Sequence, residues 1–466
     1  MSRIRHASQS ASRRRFLART AGFGALAAAS CFERLGLSGA LAQAAGDYKA
    51  LVCVFLYGGN DANHMVVPCE PVEYGVYSAV RGPQGQGGLA IDIANLLRIT
   101  PSSLGKSYGL HPNLPEIQTL FNSGKVAVLA NAGTLIGPLT KPQYLARAAP
   151  IPDSLFSHSD QQEQWQTAGP SGLTNSGWGG RLAERLASLN DPASMPFMLS
   201  LSGTPQFSLG SSNHAMTLPT GGSFGLSGFG SSAASQARFN AVNQILALDR
   251  GNRLVQATAD VAAGAIASSV TINQILGANS TPAAAAFNGL NSSIAQQLRQ
   301  VAKLIEARSA LKHRRQIFFV SMGGFDTHTN QLASLQTLYA QLSTALKAFY
   351  DVTVTLGVAQ QVTAFTLSDF SRTLQPASGG GTDHAWGGHH LIIGGAVRGG
   401  DFYGRFPSLA LGGPDDVSDE GRLLPSTSVD QYAATLASWF GASNADLGLI
   451  FPNLSRFATP NLGFLA

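Results

Sequence analysis

The sequence is poor in cysteine, with three in 466 residues, and poor in charge, with 12% Asp, Glu, Lys and Arg against the ~25% usual in globular domains. So few cysteines exclude a small disulfide-stapled scaffold. Cys53 stands inside an apolar strand pattern and reads as a buried free thiol. No repeat of fixed period is present, and no apolar run after residue 44 reads as a transmembrane segment. The G-x-S-x-G elbow is also missing, which disfavours a serine esterase of the α/β-hydrolase kind.

The basic balance is a property of one end. Ser12-Arg13-Arg14-Arg15-Phe16-Leu17 is a twin-arginine pattern, followed by a mild apolar run over 21–30 and small residues that offer cleavage after Ala42 or Ala44. Residues 1–44 are therefore expected to be an export signal read by the twin-arginine translocase, leaving a periplasmic or secreted protein. They carry seven arginines and one acid, so their removal takes the net charge from +5 to −1. No basic surface points to nucleic acid.

Residues 45–466 read as one α/β domain with a Gly/Ser-rich and helical insertion around 203–315. Apolar runs predict strands at 48–57, 125–131, 195–202, 316–322, 362–367 and 408–411. Helical spacing falls between them, from His111-Pro112-Asn113-Leu114 through Phe121, within 154–168, and at 181–189, 234–275, 292–315, 332–356 and 430–440. That alternation predicts a parallel or mixed sheet.

Three of these strands end in the same chemistry. Asp61 follows Gly58-Gly59-Asn60, Asp326 and His328 follow Gly323-Gly324-Phe325, and Asp369 with Arg372 precedes the pair Asp383-His384. Parallel strands bring their carboxyl ends to one edge, where α/β sheets place ligands. A cluster of carboxylates and imidazoles there needs a cation to offset its repulsion. The donors suit Zn²⁺ or the harder Mn²⁺, Mg²⁺ or Ca²⁺, as one or two ions. A lone Asp after a strand is more often a turn former, but three strand ends together favour a site. His389 is favoured over its neighbour His390 as a further ligand, while His64, His111 and His313 read as ordinary residues. Ser157, beside His158 at a predicted helix start, is either a nucleophile or a cap. Arg372 is expected to grip an anion or to pair with Asp369.

The segments LYGGNDANHMVVP, GGFDTHTNQ, SDFSRT, GTDHAWGGHH and LPSTSVDQYAATLASWFG, spread from residue 56 to 441, together resemble an exported bacterial family known as domain of unknown function 1501. That family is placed in the alkaline phosphatase–sulfatase superfamily. The resemblance implies an alkaline-phosphatase-like fold, a central mostly parallel sheet with helices on both faces, around a metal centre. By the superfamily's order Asp61 is implied as the first-strand ligand, Ser157 as the nucleophile, Asp326 and His328 as a ligand pair, and Asp383-His384 as the Asp-His ligand dipeptide. His389 would supply the last imidazole. Ala385 follows where glycine is frequent.

The expected function is an exported metal-dependent hydrolase of a small phosphate or sulfate ester, with Ser157 attacking and Arg372 or an ion holding the developing anion. The alternatives are a catalytically degenerate envelope or secretion-associated binding protein, and a phosphoglycerate-mutase-like or phosphotransferase enzyme.

Overall fold

The computed structural model describes residues 48–169, 175–191, 195–211, 215–221, 224–225, 232–248 and 251–466. The export-signal expectation over 1–44 lies outside these residues. Nine strands form one sheet in the order β11-β5-β10-β9-β1-β8-β6-β7, with β12 also paired to β5. They are β1 (Lys49–Leu56), β5 (Val126–Gly133), β6 (Met198–Ser200), β7 (Met216–Thr217), β8 (Arg315–Met322), β9 (Val362–Ser368), β10 (Gly388–Gly394), β11 (Asp401–Gly404) and β12 (Thr427–Ser428). A separate antiparallel sheet joins β2 (Val66–Pro68), β4 (Tyr108–Leu110) and β3 (Leu97–Ile99).

The central sheet is mostly parallel, and β1 lies between β8 and β9 with both neighbours running its way. Among the described residues of this sheet, only β10 runs against its partners, β5 and β9. Being buried on both faces explains why β1 is a continuous apolar run rather than an alternating one. Ala50, Val52, Val54 and Leu56 face one side, among Ile117, Leu298 and Leu342 of the helices Pro115–Asn122, Ser293–Glu306 and Gln331–Thr355. Leu51, Cys53 and Phe55 face the other, among Leu182 and Tyr432 of the helices Trp178–Leu186 and Val429–Phe440. The molecule is a mixed α/β protein with helices on both faces of a large, mostly parallel sheet. At roughly 1.5–3 kcal/mol for each large apolar side chain removed from water, these two layers hold the sheet's carboxyl edge rigid.

One sequence expectation changes. Residues 408–411, expected as a strand, form a loop that follows the helix-free segment after β11. The segment Gly388–Gly394, to which the sequence pattern assigns no element, is a central strand. The helix Arg253–Gly277 is, by length and composition alone, long and apolar enough to cross a membrane.

Candidate metal centre

The carboxyl ends of β1, β8 and β9 open on one edge, and antiparallel β10 begins there. Asp383 and His384, just before β10, therefore reach the same edge as residues that follow the parallel strands. The turns leaving β1 and β8 touch through their backbones. A Cβ added to Gly58, which has φ +112°, would lie 2.3 Å from the amide nitrogen of Asp326. Only glycine permits that approach.

Asp326 is the centre of the cluster. His328 Nε2 lies 3.0 Å from its Oδ1, His384 Nε2 lies 3.4 Å from the same oxygen, and His158 Nε2 lies 3.5 Å from Oδ2. The Nε2 atoms of His328 and His384 are 3.0 Å apart. Each imidazole has its other nitrogen engaged by an oxygen acceptor. His158 Nδ1 is 2.7 Å from Asp369 Oδ2, His328 Nδ1 is 3.1 Å from Asp383 Oδ1, and His384 Nδ1 is 2.7 Å from the Phe156 carbonyl. Carboxylate and carbonyl oxygens can only accept, so the network assigns the proton to Nδ1 in all three rings. The three Nε2 atoms are left converging on one carboxylate.

The electrostatics favour the ligating forms of Asp326 and His384. Burial pushes the Asp326 carboxyl upward, but the Arg372 hydrogen bond and charge, with His328 and His158, hold it below the usual carboxylate range. His384 is pulled below the ordinary imidazole value, first by burial and then by Arg372 and His158, against the Phe156 carbonyl and Asp326. Burial raises Asp369, while bonds from Gln162, His158 and the Gly58 amide oppose the rise.

These residues fit a metal ion. Ligating atoms of His158, Asp326 and His384 lie within 4.8 Å of one another. His158 Nε2 is shielded from solvent without a hydrogen-bond partner. Donors bonded to one ion at about 2.1 Å sit roughly 3.0–3.4 Å apart, the spacing seen among Asp326, His328 and His384. A cation also removes the conflict between facing lone pairs, and imidazoles tied by Nδ1 to an acceptor are the usual outer support of metal ligands.

The expected residues divide sharply. Asp326, His328 and His384 are brought together, and Asp383 reaches the group through His328. Asp61 is elsewhere: its two oxygens accept from Arg81 at 2.7 and 2.9 Å and from Gln331 at 2.6 Å, and its Oδ1 also caps the Asn63 amide. A carboxylate so saturated with donors has no lone pair to spare for an ion. His389 lies inside β10, accepts from the Asn131 amide and packs on Phe406, while His390 faces Trp165 and Tyr432 on the other side. Arg372 is fully buried and is held by Asp326 at 2.8 Å, by the Gly58 carbonyl and by Thr382. It pairs with Asp326 rather than Asp369. Ser157 stands at the N-cap of the helix His158–Thr167 but makes no side-chain cap bond; its hydroxyl donates to Asp160 instead.

Sequence reasoning put the weight of Ser157-His158 on the hydroxyl. The imidazole beside it is the residue that enters the cluster. The signal is a histidine at a helix start that must face the strand ends, and Asp369, expected as a partner of Arg372, orients this histidine instead.

Fold and cluster define a mixed α/β protein with a histidine- and aspartate-lined centre able to hold a metal ion. The chain belongs to the family described as "Protein of unknown function (DUF1501)", whose sequence pattern matches residues 48–420. Curated proteins give no match. Among solved structures the chain is similar to the "Crystal structure of Ps i-CgsB", with 11% identity over 89% of this chain and 77% of that one. The TM-score is 0.34.

Proposed function

We propose that the protein is an exported, metal-dependent hydrolase of small phosphate or sulfate esters, built on an alkaline-phosphatase-like plan. The observation that supports this best is the convergence of His158, His328 and His384 on Asp326, each ring with Nδ1 committed to an acceptor. The two imidazoles and one carboxylate within mutual reach, His158, His384 and Asp326, with His328 beside them, favour Zn²⁺ or Mn²⁺ over Mg²⁺ or Ca²⁺, which prefer oxygen donors. Because Asp61 and His389 are engaged elsewhere, the donor set suits one ion rather than two. When bound, that ion would supply Lewis acidity to an ester oxygen.

The chain's own residues supply the rest. Asp326 and the histidines are between about one-fifth and one-half exposed, so the centre is open to a small ester. Ser157 directs its proton to Asp160, which leaves an oxygen lone pair for attack and a carboxylate to receive the proton. Arg372 holds Asp326 in place and is not a substrate clamp.

A catalytically silent binding protein is the second reading. The saturation of Asp61 and Arg372 favours it, since neither is left to stabilise a developing charge. Purified mature protein, loaded in turn with Zn²⁺ and Mn²⁺, should hydrolyse at least one of an aryl phosphate, an aryl phosphodiester and an aryl sulfate. Asp326→Ala should abolish that turnover. Absence of turnover on all three by the metal-loaded protein removes the hydrolase reading and leaves the binding one.

A further inference from the structure

Asp61 is buried away from the cluster, yet it is linked to Asp326 by an unbroken line of hydrogen bonds. Arg372 donates from one terminal nitrogen to Asp326 Oδ1 at 2.8 Å, and its Nε donates to Thr382 Oγ1 at 3.3 Å. Thr382 Oγ1 donates to Gln331 Oε1 at 2.6 Å, and Gln331 Nε2 donates to Asp61 Oδ2, also at 2.6 Å. Arg372, Thr382, Gln331 and Asp61 are all essentially excluded from water.

The direction of donation is set by chemistry. A guanidinium can only donate and a carboxylate can only accept. The Thr382 hydroxyl and the Gln331 amide between them must therefore be oriented the same way. Such a chain is mutually polarising in a low-dielectric interior. Arg81 and the Asn63 amide anchor its far end on Asp61. At the near end, the donor given by Arg372 occupies one lone pair of Oδ1, and this sets which lone pairs of Asp326 face the three Nε2 atoms.

We propose that Asp61 is a positioning residue for Asp326, acting through Gln331, Thr382 and Arg372 to set the carboxylate's orientation at the metal centre. This rests on the reading of the cluster as a metal site. It differs from a merely structural role for the Asp61–Arg81 ion pair, which would support folding without reaching the ligand.

Thr382→Val tests it, because it removes the hydroxyl and keeps the volume. Co²⁺ affinity and the Co²⁺ absorption spectrum are measured on the purified mature chain, alongside the melting temperature without metal. Thr382→Val and Gln331→Leu should each weaken Co²⁺ binding about 10–100-fold, the usual range for loss of an outer-shell partner, and should shift the spectrum. Thr382→Ser should restore both. Unchanged affinity and spectrum in folded Thr382→Val overturn the relay, as does a loss that Thr382→Ser does not rescue. A wild-type chain that binds no Co²⁺ overturns the metal reading itself, and the relay with it.

Discussion

The Nε2 atoms of His328 and His384 face each other at 3.0 Å, with the Nδ1 of each ring held by an oxygen. Two lone pairs at that distance repel unless a proton or a cation lies between them. His384→Ala should therefore weaken metal binding at least 100-fold, following the order of a lost ligand rather than that of a lost outer partner. The metal-free protein should change little, by about 1 kcal/mol or less, since His384 is partly exposed. Chelator competition and thermal melting check the two halves separately.

Arg372→Met should cost stability. The guanidinium is fully buried, while the Asp326 side chain is 45% exposed. The loss should be roughly 2–3 kcal/mol, below the ~3–5 of a wholly buried pair, because water can still solvate Asp326. Arg372→Lys should recover only part of this, since one ammonium cannot reach Asp326, Thr382 and the Gly58 carbonyl together. Denaturant unfolding measures both.

Gly58→Ala should damage the centre from outside it. The added Cβ meets the Asp326 amide nitrogen at 2.3 Å, and the φ of +112° is one that alanine adopts poorly. The β1 and β8 turns must part, at a cost of about 2–4 kcal/mol. Metal affinity should fall with stability, because Asp326 moves.

The alternation of strands and helices and the shared carboxyl edge were legible in the sequence because apolar runs such as Val362–Ser368 have a strong local signature. Gly388–Gly394 was not, because its two histidines are masked as strand residues by their polarity; only burial among Asn131, Phe406, Trp165 and Tyr432 makes them core. Asp326, His328 and His384 could be singled out from their place at strand ends. The saturation of Asp61 could not, since Arg81 lies twenty residues away with no local mark of the pairing.

Asp430 sits buried in the first turn of the helix Val429–Phe440, and burial raises its carboxyl to about 7 despite the Arg181 charge. An acid whose folded value lies above its unfolded one binds more protons when folded. Stability from this group is therefore present below the unfolded value near 4 and is lost as pH rises through about 7. Asp430→Asn should remove that loss, raising stability at pH 8 relative to wild type by roughly 1–4 kcal/mol and flattening the profile between pH 5 and 8. Melting curves across that range read the effect.

Metal stoichiometry tests the central claim most directly. Elemental analysis of the mature protein, after incubation with Zn²⁺ or Mn²⁺ and removal of free ion, should give one ion per chain for wild type. His158→Ala and Asp326→Ala, folded by circular dichroism, should each retain little or none. Wild-type protein without stoichiometric metal, or folded Asp326→Ala that binds as well as wild type, would contradict the account.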